Sequence, residues 1–208
     1  MKICIDPGHG GKDTGALGPT GLTEASVALA ISQYLADKLV ALGLIVRLTR
    51  DTDVFIELGA RCGIANIWAA DYFVSVHLNC DGPTAAGIET LYKTDKGKAL
   101  ATPIQREMIE ATGDTDRGLK YRSDLYVLNG TNMPACLAET GFISNPDFEA
   151  KFRTADYQIL LADAIAAGVA QYLDLSPVPV PPQPEPKPVP PMTFLCPKCG
   201  RKTTISIS

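Results

Sequence analysis

Apolar residues recur with two different periods along residues 1–175. Short runs of nearly continuous apolar residues, such as Tyr72–Leu78, predict strands that are buried on both faces of a sheet. Longer segments repeat apolar residues every three or four positions, as in Thr23–Leu42, and predict amphipathic helices. Strands that alternate with helices predict an α/β fold, with a mostly parallel twisted sheet and helices on both faces.

The same pattern sets the bounds of the predicted elements. The predicted strands are Lys2–Asp6, Leu44–Thr49, Tyr72–Leu78, Ile88–Tyr92, Leu125–Leu128 and Ala135–Glu139. The predicted helices are Thr23–Leu42, Glu57–Ala70, Lys96–Thr112 and Ala155–Leu173. Asn145 followed by Pro146 indicates the start of a further helix, because Asn is a favoured N-cap and Pro fits the first helical position.

A change in composition ends this pattern. Residues 176–192 have the sequence SPVPVPPQPEPKPVPPM, whose proline density favours an extended polyproline spacer over helix or sheet. A ligand for an SH3-type domain is an alternative for the same segment. We therefore expect a folded α/β domain over residues 1–175, a Pro-rich linker over 176–192 and a short Cys-containing tail over 193–208.

The tail contains the sequence Cys196-Pro-Lys-Cys199-Gly200, which has the spacing of a zinc knuckle. A structural zinc site usually has four ligands, and no Cys or His follows Cys199. A second copy of the chain could supply the other two ligands, which would make a homodimer through the tail. A metal-free hairpin, in which Thr203–Ile207 forms the return strand, and a disordered tail are the alternatives.

Net charge and the first residues bear on partners and location. The chain has 19 Lys and Arg against 23 Asp and Glu, a net charge of −4. This balance gives no basic footprint, so we expect neither nucleic acid nor a membrane as a partner. Met1 and Lys2 lead directly into the first predicted strand, without the apolar stretch of a signal peptide. We therefore expect synthesis in the cytoplasm, followed by release if the substrate lies outside.

The two histidines of the chain both fall where predicted strands end. His9 lies in a glycine-rich turn after the first strand, and His77 lies near the end of the third. Glu139 closes a later strand, and Glu24 is in the first turn of the first long helix. Ligands bind at the carboxyl ends of strands in open α/β sheets, and a crossover helix starts at that same edge. The pattern therefore predicts that these four side chains share one rim of the sheet.

Two imidazoles and one carboxylate form a catalytic zinc set, in which the fourth position is left for water. A second carboxylate nearby can act as a general base and pass the proton to a leaving amine. Each residue alone also has a simpler explanation: a turn histidine, a core histidine, a partner of the helix dipole or a rim salt bridge. A dinucleotide-binding turn is disfavoured, because GHGGKDTG lacks the G-x-G-x-x-G spacing.

Several segments also resemble, in order, the motifs of a known family. They are DPGHGG (6–11), LTE (22–24), TRDTD (49–53), SVHLN (75–79) and AETGFISN (138–145), together with Arg61, Ala65-Asn66 and Tyr126–Leu128. This pattern is similar to that of the zinc-dependent N-acetylmuramoyl-L-alanine amidases, a cell-wall amidase family that includes sporulation and cell-separation enzymes and many phage endolysins. The resemblance covers about residues 1–174.

The resemblance implies roles for the rim residues. It implies Zn²⁺ as the cofactor, held by His9, Glu24 and His77, with Glu139 as the catalytic acid/base. It also implies peptidoglycan as the substrate, cut at the amide between N-acetylmuramic acid and L-alanine after the enzyme has reached the cell wall. A non-catalytic wall-binding module and a zinc hydrolase of another amide are the alternative functions.

Two further expectations concern the surroundings of the site. Metal-binding histidines usually need an acceptor for the second ring nitrogen. Asp6 and Asn79 are candidates because they lie close to His9 and His77 in the sequence, and backbone carbonyls are the alternative. The segment Asp114–Asn132 is expected either to line the substrate groove or to be a solvated loop.

Overall fold

The computed structural model describes residues 1–175 and two later strands, Met192–Leu195 and Lys202–Ile205. The chain divides into two compact units, Met1–Val178 and Pro179–Ser208. The predicted linker over residues 176–192 lies outside the described residues apart from Met192. The predicted domain bounds therefore stay predictions.

A six-stranded sheet in the order β2-β1-β3-β6-β4-β5 forms the centre of the first unit. Its strands are β1 (Lys2–Pro7), β2 (Ile45–Leu48), β3 (Tyr72–Asn79), β4 (Ile88–Tyr92), β5 (Asp116–Tyr121) and β6 (Ala135–Phe142). All neighbouring strands are parallel except β4 and β6, which are antiparallel. The predicted α/β fold with a mostly parallel sheet is confirmed.

Six helices surround this sheet. They are α1 (Glu24–Ala41), α2 (Leu58–Ile67), α3 (Asp95–Thr112), α4 (Tyr126–Gly130), α5 (Pro146–Phe152) and α6 (Ala155–Tyr172). Threonine or asparagine side chains cap the starts of α1, α3, α5 and α6 by accepting backbone N–H groups. The helix predicted from Asn145 and Pro146 is confirmed. None of the helices in the described part of the chain is long and apolar enough to cross a lipid bilayer.

The two faces of the sheet are covered unequally. On one face, here called the core face, Ile3, Ile5, Val74 and Val76 pack in a large cluster with residues of α1, α3, α5 and α6. On the other, here called the cleft face, alternate residues such as Cys4 and Phe73 pack in a smaller cluster with α2 and α4. The alternation follows from the two-residue period of a strand. Helices therefore cover both faces, as predicted.

One element was predicted wrongly and one was missed. The predicted strand Leu125–Leu128 is wrong, because α4 begins at Tyr126 and buries the adjacent residues Val127 and Leu128 on one helical side. Strand β5 was not predicted, because its sequence DRGLKY is polar and half exposed at the edge of the sheet. An edge strand with little burial carries no alternating apolar signal.

In the second unit, β7 (Met192–Leu195) and β8 (Lys202–Ile205) pair in an antiparallel two-stranded sheet. The innermost pair in this register is Leu195 with Lys202. Strand β8 overlaps the predicted return strand Thr203–Ile207. Cys196 and Cys199 lie outside the described residues.

Candidate metal centre

The fold brings the four predicted site residues to one rim of the sheet. His9 lies two residues after the end of β1, and Glu24 is the first residue of α1. His77 and Glu139 are partners in the parallel register of β3 and β6. Residues from distant parts of the sequence meet here because β1, β3 and β6 are parallel neighbours and end at the same edge.

The carboxylate of Glu24 lies between the two imidazoles. Its Oε1 is 2.9 Å from His77 Nδ1, and its Oε2 is 3.2 Å from His9 Nε2. The two rings are 5.0 Å apart at their centroids and nearly perpendicular. One ligand atom from each of the three residues lies within 4.8 Å of the others. Two ligands of one Zn²⁺ are separated by about 3.4 Å in tetrahedral geometry, so this donor set fits the ion.

The hydrogen bonds within this trio shift the pKa of each member towards its charged form. Burial alone would raise the pKa of Glu24, but hydrogen bonds from His77 and His9 hold it well below its usual range. Burial alone would lower the pKa of His9, but the hydrogen bond to Glu24 and the charges of Glu24 and Asp13 raise it to about 9. A divalent cation would replace the protons of this arrangement.

Two glycines let the backbone approach these ligands. A Cβ atom on Gly8 would lie 2.3 Å from His77 Cε1, and one on Gly15 would lie 2.7 Å from Glu24 Oε2. Gly15 also has a φ of +65°, which glycine adopts without strain. Any other residue at these positions would displace a ligand.

Buried arginines fix the turn that carries His9. The backbone of His9 is left-handed, with a φ of +58°, which is uncommon for a residue other than glycine. Arg61 donates to the carbonyl oxygens of Pro7 at 2.6 Å and His9 at 2.5 Å. Arg50 donates to the carbonyl of Gly8 at 2.6 Å. These charged hydrogen bonds hold the strained conformation in place.

The acceptor beside His9 is Asp13 and not Asp6. Asp13 Oδ2 is 2.9 Å from His9 Nδ1. Asp6 instead lies buried below the turn, where it accepts hydrogen bonds from Arg61, Thr49 and Ser75. Asp13 was missed, although a carboxylate four residues after a histidine in a tight glycine turn is a signal that could have found it.

The second proposed acceptor, Asn79, is also wrong. Its side chain donates to Glu89 Oε1 at 3.1 Å, whereas His77 Nδ1 faces Glu24. The position of Glu89 was not predicted, because it depends on the antiparallel pairing of β4 with β6. No local sequence signal reports that pairing.

Glu139 stands beside the trio with an orphaned oxygen. Its Oε2 is buried and has no hydrogen-bond partner among the described residues. Burial, together with the nearby carboxylates of Glu24 and Glu89, raises the pKa of Glu139 to about 7, although His77 opposes the shift. A carboxyl group with a pKa near neutrality can both accept and donate a proton, which suits general acid/base catalysis.

A cleft of about 400 Å³ opens next to the two imidazoles on the cleft face. Its apolar walls come from the loop before α2 and from α4, and they are formed by Phe55, Ile56, Leu58, Leu125, Tyr126 and Val127. Asp13 and Glu57 add carboxylates to the lining. Part of the predicted segment Asp114–Asn132 therefore does line the cleft, while its strand β5 does not.

Comparisons with known proteins identify the family. A model of the N-acetylmuramoyl-L-alanine amidase family matches residues 3–171. The sporulation-specific N-acetylmuramoyl-L-alanine amidase of Bacillus subtilis is 37% identical over 182 residues, which cover 84% of this chain and 69% of that protein.

Solved structures show the same fold. The catalytic domain of CwlV, an N-acetylmuramoyl-L-alanine amidase from Bacillus (Paenibacillus) polymyxa var. colistinus, is similar with a TM-score of 0.81 and 38% identity, over 84% of this chain and 99% of that one. An N-acetylmuramoyl-L-alanine amidase from Clostridium difficile 630 gives a TM-score of 0.80 and 40% identity, over 83% of this chain and 96% of that one.

Proposed function

Since the chain belongs to the N-acetylmuramoyl-L-alanine amidase family, we propose that it is a zinc-dependent enzyme that cleaves peptidoglycan. The bond it cuts is the amide between the lactyl group of N-acetylmuramic acid and the L-alanine of the stem peptide. The observation that carries the proposal is the meeting of His9, Glu24 and His77 beside Glu139.

His9, Glu24 and His77 would hold the ion, which would take the place of the hydrogen bonds between Glu24 and the two rings. Glu24 is itself oriented by backbone N–H groups of Ala16 at 2.9 Å and Leu78 at 3.0 Å. When bound, zinc supplies a Lewis acid that polarises the scissile carbonyl and lowers the pKa of a coordinated water to about 7.

Glu139 moves the proton in this mechanism. Its carboxylate takes a proton from the attacking water and returns it to the nitrogen of the leaving amine. No described protein group holds the buried Oε2 of Glu139 by a hydrogen bond.

A digestion experiment tests the proposal. Purified protein should solubilise cell-wall peptidoglycan, lose this activity with a chelator and regain it with Zn²⁺. Mass spectrometry should find new muramic acid ends and free L-alanine amino termini. Cleavage at another amide would support a different zinc hydrolase, and tight wall binding without cleavage would support a non-catalytic module.

For the tail, we propose that Cys196 and Cys199 of two copies share one structural zinc. The support is the knuckle spacing of the cysteines and the antiparallel pairing of the strands on either side of them. Light scattering should show a dimer that dissociates in the Cys196→Ser variant. A monomeric wild type with a full zinc complement would contradict the shared site.

A further inference from the structure

A row of paired positions leads from the metal centre to the edge of the sheet. His77 pairs with Glu139, Glu139 pairs with Glu89, and Glu89 pairs with Gly118. Neighbouring strands are about 4.8 Å apart, so β5 lies about 10 Å from Glu139 across the sheet. Any group at the β5 end of this row is within reach of a substrate bound at the metal centre.

Arg117 lies at that end with its guanidinium held in place. Its Nε donates to Glu89 Oε2 at 2.8 Å, and its guanidinium carbon lies 4.8 Å from the centre of the Phe142 ring. Glu89 is only 9% exposed and is held in turn by Asn79. The arginine side chain is thus supported from two sides by largely buried groups.

The rest of the guanidinium is free to bind an anion. The side chain of Arg117 is 40% exposed. Within residues 1–175, its only hydrogen bond runs from Nε, and the two terminal nitrogens have no protein acceptor. An arginine presents its terminal N–H groups as a fork that fits a carboxylate. An oriented fork of this kind loses little conformational entropy on binding.

The two sides of the metal centre differ in the groups that they offer to an anion. The cleft beside His9 presents the carboxylates of Asp13 and Glu57, and its arginine, Arg61, is buried and already bonded to backbone carbonyls. Beyond Glu139, Arg117 presents a cation at the surface. An anionic part of a substrate therefore finds free guanidinium N–H groups on the Arg117 side, whereas the arginine of the cleft has its N–H groups bonded to the protein.

We propose that Arg117 binds a carboxylate of the peptide half of the substrate, while the glycan half lies in the cleft. This inference rests on the proposed function, because it uses the direction of the reaction. Glu139 gives its proton to the amine, so the peptide leaves from the Glu139 side of the metal centre. An extended peptide advances about 3.4 Å per residue, so a carboxylate on one of its first three residues reaches Arg117.

Two synthetic muramoyl peptides test this role. They differ at one carboxylate within the first three peptide residues, which is free in one and amidated in the other. Wild type should cleave the acidic substrate with about a tenfold higher kcat/KM, and Arg117→Gln should abolish the preference, mainly through KM. Arg117→Lys should restore part of it. Loss of activity to the same extent on both substrates would mean that Arg117 has only a structural role and would overturn the proposal.

A matched control and a binding assay complete the test. Arg106→Gln removes another exposed arginine, which lies on α3 and is paired with Glu107, and should leave the preference unchanged. Calorimetry with the free acidic peptide and its amidated form measures binding without cleavage. If wild type binds the acidic peptide more tightly and Arg117→Gln does not, the role of Arg117 is supported, even if wild type cleaves neither substrate. Absence of cleavage would refute only the proposed function. Equal binding of both peptides by wild type would overturn the role of Arg117.

Discussion

The core face and the cleft face of the sheet are formed by the same strands, but their side chains have different roles. On the core face, alternate strand residues are mostly apolar and are covered by four helices, and the buried Thr90 donates a hydrogen bond to Gln105 of α3. On the cleft face, residues further from the rim, such as Cys4 and Phe73, are apolar, but the row at the rim contains His77, Glu139 and Glu89. One face stabilises the fold, and this leaves the other free to bury charged groups that cost stability.

The largest expected effect is on the cleft face. Glu139→Gln should lower the cleavage rate by about 10²- to 10⁴-fold, because the general acid/base is lost, and should leave one zinc ion bound per site. Zinc content and cleavage rate are measured on the same preparation. Full activity of this variant would show that another group moves the proton.

A substitution on the core face should lower stability and leave activity unchanged. Ile165 in α6 is fully buried, and Ile165→Ala should lower the free energy of unfolding by about 2–5 kcal/mol, while the activity per folded molecule stays unchanged. Urea unfolding measures the first quantity and cleavage assays measure the second. The control is Ile67→Ala in α2, where the isoleucine is 89% exposed and the expected change is within about 0.5 kcal/mol.

Removing the hydrogen-bond partner of a proposed metal ligand should have a smaller effect. Asp13→Asn should weaken zinc binding by about 10- to 100-fold, because His9 loses the carboxylate at its second ring nitrogen. Competition with a chromogenic chelator measures this affinity. If the affinity were unchanged, the contact between Asp13 and His9 would be incidental to metal binding.

The smallest expected effect is the change in zinc affinity for each pH unit. Zinc must displace the proton of His9, whose pKa is raised to about 9, so affinity should rise at least about tenfold per pH unit between pH 6 and 8. Without metal, the stability of the protein changes with pH in the opposite direction and falls as the pH rises. The stabilising charge on His9 is fully present below about pH 6.5 and is lost as the pH rises through about 9. Thermal melts with and without chelator at pH 6.5 and 9 should show these opposite trends.

The sequence predicted the parts of this molecule that depend on local periodicity. The helices and central strands follow from apolar spacing, and His9, Glu24, His77 and Glu139 follow from the rule that parallel strands end at a common edge. Their positions at one rim agree with that argument, and their chemical roles stay predictions that the variants above test.

The sequence did not predict features that depend on pairing between distant segments. Strand β5 is polar at an exposed edge, so its existence follows from β4 rather than from its own pattern. Glu89 becomes a neighbour of Glu139 only through the antiparallel pairing of β4 and β6. Asp6 was a candidate acceptor for His9 because it is near in the sequence, whereas the turn places Asp13 beside His9, and Asp6 accepts a hydrogen bond from Arg61.

The arginines that hold the His9 turn link the metal centre to the margin of the fold. Arg50 and Arg61 lie in the stretch from the end of β2 into α2, and β2 is an edge strand with half-exposed residues. Edge segments open locally at a lower free energy than a central sheet does. Heating should therefore open β2 and the stretch that follows it first, and activity should be lost while most of the secondary structure persists. The highest temperature at which the enzyme works is then set by this edge of the sheet and not by its centre.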